Sequence, residues 1–125
     1  MKEIIATEKA PAAIGPYSQA VCASGLVFIS GQLPVDPQTN EFAGPDIVSQ
    51  TRMSLTNIKN ILEEKGLSMN NIVKTTVFLK NMGDFAAMNE VYAGFFEGDY
   101  PARAAIEVAA LPKGALVEIE AIASL

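Results

Sequence analysis

Residues 46–80 read DIVSQTRMSLTNIKNILEEKGLSMNNIVKTTVFLK, and within them the spacing of the apolar side chains changes from helical to extended. The first part predicts an amphipathic helix, with Pro45 at the first helical position and Asp46 near the positive end of the helix dipole. Gly66 is expected to stop this helix just past Lys65. Its predicted buried face consists of Val48, Thr51, Leu55, Ile58 and Leu62, which are three and four residues apart.

The second part, Ile72 to Lys80, is rich in β-branched residues and predicts a strand. Side chains alternate between the two faces of a strand. One predicted face carries Val73, Thr75, Val77 and Leu79, and the other carries Ile72, Lys74, Thr76, Phe78 and Lys80.

On the N-terminal side, Ile4 and Ile5 predict a short edge strand. Two apolar runs, Ser18 to Ala23 and Leu26 to Ser30, are separated by Ser24-Gly25 and predict a hairpin. The following segment, up to Asp46, is punctuated by glycine and proline and is expected to be a loop.

On the C-terminal side, Gly83-Asp84 opens a second predicted helix that Gly98 ends. Its apolar stripe consists of Phe85, Met88, Tyr92 and Phe95. Two final strands, Arg103 to Ala109 and Leu116 to Ala123, are predicted to be joined by Pro112-Lys113-Gly114 in a hairpin-like connection.

The resulting order of strands and helices predicts one α+β domain, residues 1–125, with a mixed sheet and both helices on one face. The other sheet face would still carry apolar residues such as Ile72 and Phe78. An uncovered apolar sheet face is an association surface, so we expect a homo-oligomer.

The composition excludes several kinds of chemistry. The chain has no histidine, which excludes Ser-His-Asp and Cys-His catalysis as well as metal sites that depend on histidine. The single cysteine, Cys22, excludes an internal disulfide and a cysteine-cluster metal site. A net charge of −5 argues against nucleic acid as a partner.

The N-terminal sequence MKEIIATEKAP does not have the features of a signal peptide, because Glu3 and Glu8 flank a very short apolar run. No apolar stretch is long enough to span a bilayer. We therefore expect a cytoplasmic protein without a membrane partner.

Arg103 is one of only two arginines and lies in the apolar segment PARAAIEVAALP, residues 101–112. A guanidinium stays charged and presents a planar fork of donors that suits a carboxylate or phosphate. Two interpretations remain open from the residues alone: a ligand-binding arginine, or a structural pair with Glu107 or with an acid of another chain.

Glu118 and Glu120 lie in the sequence VEIEAIA and face the same side of a predicted strand. The commoner interpretation of such a pair is a solvated strand edge. The alternative is that one of them is a general base that holds a water molecule and has a pKa tuned by burial.

Other candidate residues carry weaker signals. Tyr17, after Gly15-Pro16, is either a hydrogen-bond donor at a site or, as the pattern favours, a plug over the core. Ser30-Gly31 is either a strand end at which the glycine allows a ligand to approach the backbone closely, or a simple turn. Cys22 is expected to be a buried apolar residue. Asn89 is expected to be either an exposed residue of the helix or a local hydrogen-bonding residue within it.

Four segments together resemble the RidA family of reactive-intermediate imine deaminases, also called 2-iminobutanoate/2-iminopropanoate deaminases. They are AIGPYSQAV (13–21), SGQLPVDPQTNE (30–41), IVKTTVFLKNMGDFAAMNEVY (72–92) and PARAAIEVAALPKGALVEIEAIA (101–123). The resemblance covers essentially the whole chain, and the C-terminal segment is its most specific part.

The resemblance implies a chorismate-mutase-like fold and a homotrimer whose sheet faces form a barrel-like core, with sites between subunits. It implies a hydrolase of amino-acid metabolism that detoxifies reactive intermediates without a metal or a cofactor. The substrates would be 2-aminoacrylate/2-iminopropanoate and 2-iminobutanoate, and the products 2-oxo acids and ammonia.

The resemblance also assigns roles to residues. Arg103 matches the arginine that grips the substrate carboxylate, and Glu118 rather than Glu120 matches the acid that orients the attacking water. The implied binding residues are Tyr17, Ser30, Gly31, Asn89 and Ala105.

One position departs from the pattern, because many deaminating members have cysteine where this chain has Ala105. The backbone amide of this residue would still be available to a substrate. The departure keeps a second function open, that of a non-enzymatic trimer of the same family that binds a small carboxylate or acts as a regulator or chaperone. A third function, RNA cleavage, is disfavoured by the net charge of −5 and the lack of histidine.

Overall fold

The computed structural model describes all residues from Met1 to Leu125. Its strands are β1 (Glu3–Ile5), β2 (Ala20–Ala23), β3 (Leu26–Gln32), β4 (Val35–Asp36), β5 (Glu41–Phe42), β6 (Ile72–Leu79), β7 (Ala102–Glu107) and β8 (Val117–Ser124). Its α-helices are α1 (Ile47–Glu64) and α2 (Phe85–Ala93). No helix combines the length and the apolar character that crossing a bilayer requires.

Six strands form one mixed sheet in the order β1-β2-β3-β8-β6-β7. Only β6 and β7 are parallel, and all other neighbours are antiparallel. Because β6 lies between β7 and β8, the predicted hairpin-like connection between the last two strands is wrong. Both helices lie on one face of the sheet, where 22 buried residues form a single apolar core. The predicted α+β class, the mixed sheet and the placement of the helices are therefore confirmed.

The start of α1 differs from the prediction. Asp46 is the N-cap residue, and its carboxylate accepts a hydrogen bond from the Ser49 amide at 3.0 Å, so Pro45 precedes the cap and is not the first helical residue. Val48 is 37% exposed, whereas the other four residues of the predicted face are fully buried. The buried face is also wider than expected, because α1 packs on the sheet and against β4.

The first residues of β6 differ from the predicted alternation. Ile72 pairs with Ala123 and Lys74 with Ile122, so β6 contains one extra residue, a β-bulge, against β8. The bulge turns Ile72 into the core and leaves Val73 46% exposed, which is the reverse of the prediction. From Thr75 onward the predicted alternation is confirmed.

The second helix is shorter than predicted. It ends at Ala93 with Gly94 as its cap, and not near Gly98. Beyond it the chain turns back, and the Phe96 ring packs on Tyr92 with 4.9 Å between ring centroids. This aromatic contact holds the segment against the helix that it has just left.

The expected loop between β3 and α1 contains a small hairpin, β4-β5, that the sequence did not reveal. Two buried side-chain amides of α1 hold the chain on either side of this hairpin. Asn57 donates to the carbonyls of Leu33 and Val35, and Gln50 donates to Gly44 O and accepts from the Leu116 amide. These bonds fix the chain just after β3 and just before β8.

The sheet face opposite the helices, which we call the uncovered face, carries exposed apolar side chains. Phe28 is 43% exposed and Ile106 is 45% exposed. Phe78 lies between them in the sheet, because it pairs with Ile106 on one side and Glu118 on the other. An exposed apolar sheet face of this kind is typical of an association surface.

Candidate active site

Four of the residues predicted for the site lie together in one cleft of about 710 Å³. We call Tyr17, Ser30, Gly31 and Glu118 the cleft group. Glu120 and Lys113 also line this cleft, and Lys113 adopts a left-handed backbone conformation with a φ of 58°. Tyr17 is 53% exposed, so the predicted plug over the core is wrong for this residue.

Part of the lining of the cleft comes from a β-bulge in β3. Ile29 pairs with Ala121 and Gln32 with Ile119, so β3 has one residue more than β8 over this interval, and Ser30 and Gly31 lie within it. The Ser30 hydroxyl donates to the Ser18 carbonyl at 2.6 Å, and the Ser30 amide donates to the Gln19 carbonyl. The strand end is therefore held in place by the segment that follows Tyr17.

Gly31 allows Glu118 to approach the backbone of β3. A Cβ atom at this position would lie 2.6 Å from Oε2 of Glu118, and Cβ atoms in real proteins essentially never come this close to another heavy atom. Since the backbone of Gly31 is not left-handed, the glycine is required for space and not for its conformational freedom. It therefore sets where the Glu118 carboxylate can lie.

Replacing Gly31 with alanine tests this placement. We expect kcat/KM for the imine hydrolysis that the resemblance implies to fall by roughly 10-fold, because small displacements of a reacting group are costly. Thermal unfolding should shift little, because the displaced atoms are the free end of the Glu118 side chain. Gly83→Ala is the matched control, since a Cβ there meets nothing within 4 Å. Equal activity of the two variants would contradict the assigned role of Gly31.

The Glu118 carboxyl is half-buried, and its pKa is raised above the ordinary value of 4.5. Burial, which disfavours the charged form, is the main cause, and the neighbouring charge of Glu120 adds to it. Glu120 itself is exposed. The solvated-edge interpretation therefore describes Glu120 but not Glu118, which has the environment of a tuned acid or base.

Arg103 lies on edge strand β7, on the sheet face that the helices cover. Its Nη1 donates to Asn89 Oδ1 of α2 at 2.7 Å, and its guanidinium carbon lies over the rings of Phe85 and Tyr92. Glu107 instead accepts a hydrogen bond from the Met82 amide, so the structure does not contain the alternative structural pair of Arg103 with Glu107. The only ion pair of the chain joins Lys65 and Glu3.

Ala105 follows Arg103 on the same strand face and is partly buried. The Val108 amide donates to the Leu79 carbonyl of β6. Because successive amides of a strand point in opposite directions, the amides of Arg103 and Ala105 point away from β6, toward the free edge of the sheet. We call Asn89, Arg103 and Ala105 the edge group.

The structure does not bring the cleft group and the edge group together within one chain. Arg103 pairs with Thr75, which also pairs with Ala121 in the core, whereas Glu118 pairs with Phe78 on the uncovered face. Arg103 and Glu118 therefore project from opposite faces of the sheet. Within a single chain, the residues of the predicted site are therefore divided into two separate groups.

The aromatic residues that contact the Arg103 guanidinium are not among the residues predicted for the site. Phe85 and Tyr92 were assigned to the apolar stripe of α2, but both also face the guanidinium. Their spacing contained a signal, because Phe85, Asn89 and Tyr92 are four and three residues apart and share one side of the helix. Cys22, as predicted, is buried and unpaired.

The fold and its two groups of polar residues define an α+β protein with a candidate acid–base centre and a separate arginine that is a candidate for anion binding. A family model described as Endoribonuclease L-PSP matches residues 7–125, and the chain belongs to this family. The predicted resemblance to the RidA proteins is confirmed by relatives and by solved structures that carry these names.

Several relatives are similar over nearly the whole chain. A RutC family protein of Pyrococcus horikoshii is 58% identical over 98% of each chain. The 2-iminobutanoate/2-iminopropanoate deaminase of Mus musculus is 50% identical over 98% of this chain and 91% of the mouse protein. The crystal structure of E. coli TdcF with bound serine superposes with a TM-score of 0.95, at 49% identity over 98% of each chain.

Proposed function

We propose that this protein is an imine deaminase that hydrolyses 2-iminopropanoate and 2-iminobutanoate to the 2-oxo acids and ammonia. The observation that carries the proposal is Arg103, a permanently charged guanidinium at an open sheet edge with no acid partner in its own chain. A carboxylate ligand would satisfy this charge. The name of the mouse relative and the serine bound to TdcF support a substrate of amino-acid size with a carboxylate.

The proposed active form is a homotrimer in which each site combines the edge group of one copy with the cleft group of its neighbour. Two observations support this arrangement. Arg103 of the edge group and Glu118 of the cleft group project from opposite faces of the sheet within one chain. The uncovered face, which carries Glu118, also exposes the apolar side chains of Phe28 and Ile106.

The residue types suit the hydrolysis of an imine. Arg103 and the Ala105 amide would hold the substrate carboxylate and thereby orient the adjacent C2 atom. Glu118 takes a proton from water as the water oxygen bonds to C2 of the protonated imine, which gives a carbinolamine. Glu118 then gives this proton to the amino nitrogen. As the C–N bond breaks, Glu118 takes the hydroxyl proton, the hydroxyl oxygen becomes the carbonyl oxygen, and the departing ammonia removes that proton as ammonium. Uncatalysed imines already hydrolyse readily, so a modest lowering of the barrier is sufficient.

The direct test generates 2-iminopropanoate in situ from serine with a dehydratase and traps the remaining imine with semicarbazide. We expect the protein to lower the trapped fraction and to raise the rate of ammonia release. The Arg103→Lys variant should lose about 10-fold or more, because a point charge does not reproduce a bidentate grip. Near-wild-type turnover by this variant would contradict the proposed role of Arg103, and an inactive wild type would contradict the activity itself.

The pH dependence of kcat/KM offers an independent check. We expect activity to fall in acid as Glu118 becomes protonated, with an apparent pKa above 4.5, because burial raises the pKa of this carboxyl. In Glu120→Gln this acid limb should move to lower pH, since the charge of Glu120 contributes to the raised pKa. An acid limb that is the same in both proteins would show that a group other than Glu118 titrates. Corrections for uncatalysed hydrolysis come from parallel reactions without protein.

A non-enzymatic carboxylate-binding trimer is the second candidate, because Ala105 stands where many deaminating members have cysteine. Binding of pyruvate without any ammonia release would favour it. RNA cleavage, which the description of the family model suggests, has less support from this chain. A net charge of −5 and the absence of histidine do not suit an RNA-cleaving site.

A further inference from the structure

The guanidinium of Arg103 is held by three side chains of α2. Its carbon lies 4.8 Å from the centroid of the Tyr92 ring and 5.4 Å from that of Phe85. Both distances are within the roughly 6 Å over which a cation is attracted to an aromatic face. The third contact is the hydrogen bond from Nη1 to Asn89. The remaining N–H groups of the fork have no hydrogen-bond partner in the chain.

Tyr92 is itself fixed from two further directions. It is only 4% exposed, and its hydroxyl lies 2.7 Å from the Thr75 hydroxyl. Thr75 is fully buried on β6 and is the register partner of Arg103. The ring of Phe96 packs against Tyr92 with 4.9 Å between centroids. The ring that contacts the guanidinium is therefore anchored to the strand next to that of Arg103.

We propose that Tyr92 is a positioning residue for substrate binding, with its ring setting the plane of the Arg103 guanidinium and its hydroxyl setting the orientation of the ring. The inference rests on the proposed function and adds a residue that does not touch the substrate. A long, flexible arginine loses rotamer freedom when it binds a carboxylate. Tyr92 removes much of that freedom before the substrate arrives, so its loss should weaken binding more than it slows the chemical step.

The first measurement separates KM from kcat. In Tyr92→Leu we expect KM to rise roughly 10-fold, within the range that a cation–π contact can supply, with kcat lowered less than about threefold. Ile61→Val is the control for general destabilisation, because Ile61 is fully buried on α1 and should leave KM unchanged. An unchanged KM in Tyr92→Leu, or a loss confined to kcat, would overturn the proposal.

The second measurement observes Arg103 directly and does not depend on activity. The protein has only two arginines, so its NMR spectrum has two arginine Nε–H signals, and Arg103→Lys identifies which belongs to Arg103. We expect the Arg103 signal to be displaced by the aromatic rings, and to move toward the exposed Arg52 signal in Tyr92→Leu. An Arg103 signal that stays in place would overturn the inference even if the protein proves to be a deaminase.

Two milder variants keep the proposal testable if Tyr92→Leu does not fold. Tyr92→Phe keeps the ring but removes the hydroxyl, and Thr75→Val removes the other half of the same hydrogen bond. Both should raise KM about two- to fivefold and broaden or shift the Arg103 signal, because the ring is less firmly held. If both leave KM and the signal unchanged, the hydroxyl has no positioning role and the proposal is wrong. A wild-type protein without deaminase activity would contradict the proposed function, whereas the NMR result would still decide the role of Tyr92.

Discussion

Glu118→Gln is expected to lower kcat/KM for 2-iminopropanoate by about 100-fold or more, since a positioned general base contributes roughly 10² to 10⁴. Glutamine has nearly the same shape and can still hydrogen-bond a water molecule, but it cannot accept the proton of that water. Glu120→Gln is the matched control, because Glu120 lines the same cleft but is exposed. Its effect should be within a few-fold. The reverse ranking of the two variants would identify Glu120 as the base.

The same substitution should raise the melting temperature at neutral pH. The pKa of Glu118 is higher in the folded than in the unfolded chain, so the folded protein loses stability as pH rises through this pKa. The glutamine variant has no carboxyl group at this position, so it does not lose this stability as the pH rises. Its advantage in melting temperature over the wild type should therefore be largest near pH 7 and shrink in acid. An opposite trend would show that the carboxylate is stabilised by its surroundings.

Sequence periodicity predicted the elements of this fold well, because local alternation and helical spacing are direct consequences of burying one face. The prediction of which side chains share a sheet face failed where one strand has an extra residue relative to its paired strand. The extra residue of β6 reverses the sides of Ile72 and Val73, and alternation alone cannot locate such a bulge. The bulge at Ser30-Gly31 was marked only by its glycine, whose steric role depends on Glu118, 87 positions later in the sequence.

The polar residues of the candidate site could be proposed from the sequence, but the contacts of Phe85 and Tyr92 with Arg103 and the geometry of the site could not. Arg103 and Glu118 could be selected as residue types, and the resemblance assigned them roles. The sequence could not reveal that they project from opposite faces of the sheet, since that depends on the register of β6 with both β7 and β8. It also could not show that Arg103 contacts Tyr92 and not Glu107, because such contacts arise only when α2 packs over the edge strand.

If each site takes Arg103 from one copy and Glu118 from another, two inactive variants should restore each other's activity. Arg103→Ala and Glu118→Gln would each be nearly inactive alone. Co-expressed in equal amounts, with different tags used to confirm that they assemble together, they should recover about one quarter of the wild-type activity per site, because half of the copies on either side of each interface are intact. A site contained within one chain would recover nothing, since every chain carries one lesion.

A second mixture provides the control for this experiment. Wild-type chains are assembled with equal amounts of chains that carry both substitutions. A shared site again gives about one quarter of the wild-type activity, whereas a site within one chain gives about one half. The pair of mixtures therefore distinguishes the two arrangements even if assembly alters the overall rate. Activity of about one half in the second mixture and none in the first would refute the shared site, and the opposite sheet faces of Arg103 and Glu118 would then need a different explanation.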